Sequence, residues 1–164
     1  PLALGIASKC EVMDIFLERR ISPLDFARRV DKEFPQELEI STVEEVDLSL
    51  PSLQSQVTLS EYRVVVESNL PEECVRERID KLLAAPRLSQ RRERKGKSRE
   101  YNLRPLIEAL WVEEKHDGHL VLGMRLRTGS RGTVRPDEVL DILGLGEVSS
   151  FIQREKLAFE FDKR

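Results

Sequence analysis

The sequence predicts an α+β fold of tandem ferredoxin-like units, the first of them truncated at its N-terminus. Three observations lead to this prediction: strand-like and helix-like periodicities alternate along the chain, three helices open with one shared pattern, and a basic segment interrupts the second half. Of the 164 residues, 40% are hydrophobic and 35% are charged. We therefore expect a folded chain with a real core and a heavily charged surface.

Each of the three predicted helices has proline in its first turn and a carboxylate close behind it. The prolines are Pro23, Pro71 and Pro136. Proline is tolerated there because the first N–H groups of a helix have no helical partner, and the carboxylates complement the positive end of the helix dipole. Apolar residues then recur at the spacing of one helix face: Phe26, Val30 and Phe34; Val75, Ile79, Leu82 and Leu83; Val139, Ile142 and Leu143.

A strand is predicted before each helix, and further strands complete the pattern. The clearest is residues 119–127, where every second residue is apolar, which is typical of a half-buried strand. The dipeptide Asp117-Gly118 predicts a tight hairpin turn in front of it. The other predicted strands cover residues 11–18, 38–48, 61–67, 110–116 and 151–161.

This order predicts two unequal halves. We expect an incomplete ferredoxin-like half of order ββαβ over residues 1–50, a linker over 51–59, and a complete half of order βαββαβ over 60–164. The first half lacks its opening strand and helix, and the chain begins with proline, so we interpret its N-terminus as cut from a longer protein. The first half would then expose an apolar face, or another chain would supply the missing elements.

A basic segment in the second half predicts a hairpin over residues 88–103, with its turn at Lys95-Gly96. Residues 87–104 hold eight Lys or Arg and two Glu, a local charge of +6 in a chain whose net charge is −3, so the remainder carries −9. Alternation would put basic residues on both faces of this arm. Contact with phosphates is the functional interpretation, and its candidate residues are Arg91, Arg92, Arg94, Lys95, Lys97 and Arg99.

A second basic stretch surrounds a glycine-containing loop. Arg125, Arg127, Arg131 and Arg135 flank Gly129 and Gly132, whose backbone N–H groups could approach an anion. We predict that this Arg-Gly loop and the hairpin form one cationic surface. Two other interpretations stay open, a solvated arm kept in solution by its charge and a contact with an acidic protein surface.

Few residues could act in catalysis or bind a metal. His116 and His119 face each other across the predicted turn with Glu114 nearby, which is a weak metal-site pattern; polar residues closing a turn is the alternative interpretation. Cys10 and Cys74 show no spacing motif, and we expect both thiols to be buried and reduced. We assign no catalytic residue, no metal and no cofactor.

Three segments resemble a known family: residues 1–17 (PLALGIASKCEVMDIFL), 95–107 (KGKSREYNLRPLI) and 129–145 (GSRGTVRPDEVLDILGL). They are similar to the radical-SAM-linked bacterial domain of unknown function, found fused to or encoded beside cobalamin-binding radical-SAM proteins, often near ribonuclease G. The radical-SAM motif of three cysteines is absent from this chain. The resemblance implies a setting that involves RNA or a radical-SAM partner.

The function that we predict is a non-catalytic accessory module of the cytoplasm that binds an RNA phosphate backbone through the hairpin and the Arg-Gly loop. One alternative is a protein-docking module for a radical-SAM enzyme, which rests on the resemblance. A second alternative is an RNA-processing enzyme. No stretch is apolar enough to predict a membrane partner, and the oligomeric state is not predicted.

Overall fold

The computed structural model of the chain describes residues 2–35, 37–94, 97–116, 118–129 and 132–160, and for residues 92–94 and 97–99 it describes the backbone alone. These residues form strands and helices in an alternating order. The elements are β1 (Ile6–Ser8), α1 (Pro23–Val30), α2 (Leu53–Gln56), β2 (Val57–Glu67), α3 (Glu72–Ala84), β3 (Ser89–Arg94), β4 (Lys97–Asn102), a 3₁₀ turn (Arg104–Leu106), β5 (Ile107–His116), β6 (His119–Arg127), α4 (Pro136–Ile142) and β7 (Ser150–Phe159).

The described residues form two sheets alongside the helices, which confirms the predicted α+β class. The larger is a mixed five-stranded sheet of order β1-β7-β2-β6-β5, in which β1 runs parallel to β7 and the other neighbours are antiparallel. The smaller is the antiparallel pair β3 and β4. From β2 onward, the strands and helices of the large sheet follow the predicted order βαββαβ.

One face of the large sheet carries the core, because every second residue of its central strands is apolar. Val64 and Val66 on β2 are buried, and so are alternate residues of β6 from Leu120 to Leu126. They form one cluster with the apolar stripes of α3 and α4. The buried residues of these two helices are Val75, Ile79 and Leu82 on α3, and Pro136, Val139 and Leu140 on α4.

The predicted helix openings are confirmed at α1 and α4, whereas at α3 Pro71 is the N-cap residue and the helix begins at Glu72. The Ser22 hydroxyl accepts the N–H of Asp25 at 3.1 Å ahead of α1, which has Pro23 in its first turn. At α4 the Glu138 carboxylate accepts the N–H of Arg135 at 2.9 Å. These contacts satisfy N–H groups that the helix itself leaves without partners. None of the helices in the described part of the chain has the length and apolar character needed to cross a membrane.

The chain divides into two compact units, and the smaller one comprises residues 13–52. Apart from residue 36, which lies outside the described part, none of its residues is buried, and α1 is its one regular element. About forty residues rarely bury a sufficient core without a partner or cross-link. Its exposed large apolar side chains are Met13, Ile15, Phe16, Leu17, Leu24, Leu38, Val46, Leu48 and Leu50.

The strands predicted over residues 11–18 and 38–48 are wrong: no ladder forms in either segment. The apolar pattern was read correctly, but a strand also needs a partner edge, and local sequence cannot supply one. The first ferredoxin-like unit of the predicted repeat is therefore not confirmed. Ile6, Ala7 and Ser8 instead form β1, which adds to the large sheet through Ile152, Gln153 and Arg154 of β7.

Gly123 on β6 makes room for the only tryptophan of the chain. A Cβ atom added at this glycine would lie 2.0 Å from Cε2 of Trp111, which pairs with Gly123 across β5 and β6. Since Cε2 lies where the two rings fuse and not on the outer rim, the indole presents its face to the glycine. The close approach therefore depends on the missing side chain.

We expect Gly123→Ala to lower the free energy of unfolding by about 1–3 kcal/mol, because the added methyl group would overlap the indole and overpack this face. Urea denaturation followed by circular dichroism measures the change. In a Trp111→Leu background the indole is gone, so the same glycine substitution should cost less. An equal cost in both backgrounds would contradict the assigned contact.

Candidate nucleic-acid interface

The predicted hairpin over residues 88–103 forms. Strands β3 and β4 pair antiparallel from Ser89–Asn102 to Arg94–Lys97, as a sheet of their own. The turn predicted at Lys95-Gly96 lies outside the described residues. The hairpin is thus a distinct two-stranded ribbon inserted between α3 and β5.

The register gathers basic residues on one face of this ribbon. Arg92 lies opposite Arg99, and Arg94 lies opposite Lys97. Cross-strand partners share a face, and so do residues two apart along a strand. These four positions therefore belong to one face, with Gln90 and Tyr101 following at its base. Basic residues were expected on both faces; Arg91 does lie on the other face, but these four share a single one.

The opposite face of the ribbon is mixed in charge. Arg91 pairs in register with Glu100, and Glu93 pairs with Ser98. Arg91 is exposed. The carboxylate of Glu100 lies 3.4 Å from the guanidinium of Arg87. The charge of the hairpin is therefore polarised between its two faces.

The base of the ribbon is anchored in the body of the protein. Leu103 is fully buried, and its N–H donates to the carbonyl of Leu88 at 2.8 Å. The Asn102 side chain accepts the N–H of Leu88 at 2.8 Å and that of Arg104 at 3.1 Å. The Arg104 guanidinium donates to the carbonyls of residues Leu83 (2.9 Å) and Ile107 (2.8 Å). Arg104 is thereby committed to holding the base.

The base of the basic face meets the start of α4. The Tyr101 hydroxyl donates to the carboxylate of Glu138, which also accepts the Arg135 N–H. Close by, Gly132 faces the side chain of Leu106, with Leu106 Cδ2 only 2.8 Å from where a glycine Cβ would stand. The hairpin base and the segment 132–135 of the predicted Arg-Gly loop are therefore neighbours.

Most arginines of the second basic stretch are held by carboxylates. Arg125 contacts Glu61 at 2.6 Å, Arg127 contacts Glu108 at 3.5 Å, and Arg135 contacts Asp137 at 2.9 Å. Arg131 lies outside the described residues. The continuous cationic surface expected from both stretches is therefore corrected: Arg125 and Arg127 belong to ion pairs on the large sheet. Charged residues alternate along these strands, which could have indicated the ion pairs. Finding the partner of each arginine, however, requires knowing which strands pair and in which register.

The weak metal-site pattern does not come together. His116 lies opposite His119, and its Nε2 is 3.2 Å from the Glu114 carboxylate. However, within the described ranges no three His, Cys, Asp or Glu side chains are grouped as a metal would need. A bulge between Val112 and Glu114 shifts the register ahead of these residues, which the sequence did not indicate.

A buried arginine is the feature that the sequence interpretation missed. Arg154 on β7 is only 6% exposed, and its guanidinium donates to the Glu11 carboxylate at 2.6 Å and to the Tyr62 hydroxyl at 3.1 Å. Burial acts to lower the pKa of Arg154, but the contacts with Tyr62 and Glu11 outweigh it and raise the pKa. This cluster ties the segment after β1 to the sheet.

The two thiols differ, which corrects the expectation that both are buried. Cys74 on α3 is exposed, because it stands one residue before Val75, where the buried stripe of the helix begins. Cys10 is partly buried, and burial raises the pKa of its thiol, with Glu11 adding to the effect and Ser8 opposing it.

We expect Cys10 to react with a disulfide reagent more slowly than Cys74 at about pH 8, since a raised pKa leaves less thiolate. The rates follow from Cys10→Ser and Cys74→Ser variants, each of which retains one thiol. The difference should shrink as the pH rises through the Cys10 pKa, and it should vanish in denaturant. Faster reaction of Cys10 in the folded protein would contradict the assignment.

Comparisons with known proteins give a family and no function. No curated protein matches the chain. A chain from a structure titled "Crystal Structure of a Cbf5-Nop10-Gar1 Complex" is similar at 16% identity and a TM-score of 0.44, covering 63% of this chain and 32% of that one. A similarity at this level carries no argument about function. The model of the family described as "Uncharacterized protein conserved in bacteria (DUF2344)" matches residues 1–136, and the chain therefore belongs to that family.

Proposed function

We propose that this chain is a non-catalytic, RNA-associated accessory module that binds a phosphate backbone through the basic face of its hairpin. The observation that carries the proposal is the register of β3 and β4, which places Arg92 opposite Arg99 and Arg94 opposite Lys97. Four basic residues on one face of a narrow ribbon form a linear array of positive charge, and a polynucleotide backbone is a linear array of negative charge.

The energetics support a polyanion as the partner of this face. Like charges directly opposite each other in a sheet are destabilising. A phosphate between two such residues turns this repulsion into attraction. Lys and Arg that neutralise phosphates also release condensed counterions, which provides most of the non-specific affinity for nucleic acids.

The base of the hairpin supports a defined direction for the bound strand. Tyr101 and Glu138 join the basic face to the start of α4, and the backbone at Gly129 and Gly132 has positive φ values of 123° and 137°. Glycine adopts such conformations readily. The Gly129 N–H donates to the Thr133 hydroxyl at 3.2 Å and the Gly132 N–H to the Gly129 carbonyl at 3.4 Å, so the phosphate contacts fall to the hairpin. The bound strand would continue from the hairpin toward the start of α4.

We further infer that β2 to β7, with α3 and α4, make up one ferredoxin-like unit that displays the hairpin. The element order βαββαβ and the strand order β7-β2-β6-β5 support this inference. The hairpin would then be an insertion between the first helix and the second strand of the unit.

Binding to a single-stranded RNA oligonucleotide should weaken steeply with salt, with a log–log slope of about −0.7 for each phosphate contacted. Replacing Arg92, Arg94 and Arg99 by Glu should remove about three contacts and flatten the slope by about 2. Fluorescence anisotropy of a labelled oligonucleotide, measured across a salt series, gives both quantities.

The matched control replaces Arg29, Arg76 and Lys81, all exposed and outside the hairpin, by Glu. It changes the net charge of the chain by the same amount, so it separates a local site from global attraction. Salt-independent binding, or an equal loss in the control, would count against the hairpin site. Stronger binding to duplex DNA than to RNA would reassign the nucleic acid.

A protein-docking function is the second candidate, and the exposed apolar side chains of residues 13–52 favour it. The family resemblance points to a cobalamin-binding radical-SAM protein as the partner. Large exposed apolar groups clustered in one segment are typical of interaction sites. This candidate does not exclude the first, because it uses a different unit of the chain.

In size-exclusion chromatography, we expect the purified chain to co-elute with a radical-SAM protein encoded beside it. The double substitution Phe16→Ser and Leu48→Ser should reduce co-elution by removing two exposed apolar anchors, whereas Arg91→Glu should not. Separate elution of the two native proteins at low salt would remove this candidate.

A further inference from the structure

The face of the large sheet that does not carry the core combines aromatic and charged side chains. On β2 this outer face bears Arg63 and Val65, and on β6 it bears Val121, Gly123 and Arg125, since these residues alternate with those of the core cluster; Val121 and Gly123 are themselves buried, and Arg125 is exposed. In register, β5 adds Trp111 opposite Gly123, and β7 adds Phe151 opposite Val65. The two rings thus lie on the two strands that flank the central pair.

Trp111 has the geometry of a stacking platform. One face of its indole packs on Gly123, as the 2.0 Å approach of Cε2 to a notional glycine Cβ shows. The residue nevertheless stays partly exposed. An aromatic ring that is supported on one face and partly open to solvent can take a flat group against its other face. The support by backbone keeps the indole flat on the sheet.

The separation of Trp111 and Phe151 on the outer face suits a few unpaired bases. Phe151, 55% exposed, lies three strands away from Trp111, about 14 Å across the sheet at the usual separation of neighbouring strands, and is offset by two residues, about 7 Å, along the strands. Open sheets that read single-stranded RNA stack about two or three bases on such a face. Arg63 stands between the two aromatic residues, and its guanidinium is 3.2 Å from the Glu113 carboxylate.

The charge pattern favours a polynucleotide over a protein on this face. Ion pairs cover the same surface, with Arg63 to Glu113, Arg125 to Glu61 and Arg127 to Glu108. Charged residues are depleted from the cores of protein interfaces. By contrast, exposed ion pairs are weak, and a phosphate can compete with a carboxylate for the guanidinium.

The outer face also continues toward the hairpin. Arg127 and Arg125 lie at the end of the sheet where β5 begins, because Ile107 pairs with Leu126. The base of the hairpin at Leu103 is only four residues before Ile107. From there, Trp111 is four residues along β5, about 13 Å at the rise of a strand. A single strand held by the hairpin can therefore reach the indole.

We propose that the outer face is a base-stacking site centred on Trp111, which makes this chain selective for single-stranded over double-stranded RNA. The inference rests on the proposed function, since the hairpin supplies the phosphate contacts. A duplex keeps its bases stacked inside, so it can engage the hairpin but cannot place a base on the indole.

The sole tryptophan makes a direct test available. Addition of a twelve-nucleotide oligo(U) should quench the emission of Trp111, because a stacked base contacts the indole. A self-complementary RNA duplex and inorganic polyphosphate should bind through the hairpin with little quenching. Trp111→Leu should weaken oligo(U) binding about tenfold or more and leave the affinity for polyphosphate unchanged.

Phe16→Leu is the matched control, since it replaces an exposed aromatic ring outside the sheet by an aliphatic side chain. It should change neither the oligo(U) affinity nor the quenching. Circular dichroism verifies that Trp111→Leu is folded, and the quenching of the unmodified protein tests the proposal without any substitution. Tight binding of oligo(U) with unchanged emission, or equal quenching by the duplex, overturns the stacking site while the hairpin function stands. If none of the three polyanions binds at low salt, the hairpin function fails as well.

Discussion

The pairing of β2 with two neighbours at once is the constraint on which the rest of the structure depends. Residues 59–66 of β2 pair with β6 on one side and β7 on the other, so the register of β2 determines which side chains of the sheet face the helices. A slip of one residue would move Val64 and Val66 to the opposite face. Arg154 faces inward beside Tyr62 by the same rule, because it lies two residues from Ile152, which pairs with the buried Val64. Glu11 then compensates a charge that would otherwise be costly to bury.

The two faces that result have different chemistry. The inner face is an apolar layer shared with α3 and α4, and its stability comes from burial, which is insensitive to salt. The outer face keeps ion pairs and two accessible aromatic residues. A ligand can exchange with such weak, exposed pairs without disturbing the core. The division therefore allows binding at the surface of a sheet whose stability does not depend on that surface.

The hairpin and residues 13–52 both have few buried residues, but they differ in what holds them and in what they expose. The hairpin has backbone pairing along its length and a base held by Leu88, Leu103 and the Asn102 side chain. Four basic positions of the hairpin share one face, and its fold rests on those anchors. Residues 13–52 have an amphipathic helix and many apolar side chains, but no residue among those described there is buried. The hairpin offers basic residues to a ligand, and residues 13–52 offer exposed apolar side chains.

By itself the sequence determined the local features: the helices opened by Pro23, Pro71 and Pro136, the alternating strand 119–127, and the existence and charge of the hairpin, because each depends on residues close together in the chain. Only the tertiary structure decided which edges pair. It left 11–18 and 38–48 without partners, placed Arg125 and Arg127 against carboxylates, and set Trp111 on Gly123. Pairing joins residues far apart in the chain, and the number of residues in each turn or bulge determines it. No local pattern encodes that relation, which is why the basic face of the hairpin and the aromatic face of the sheet emerge only in three dimensions.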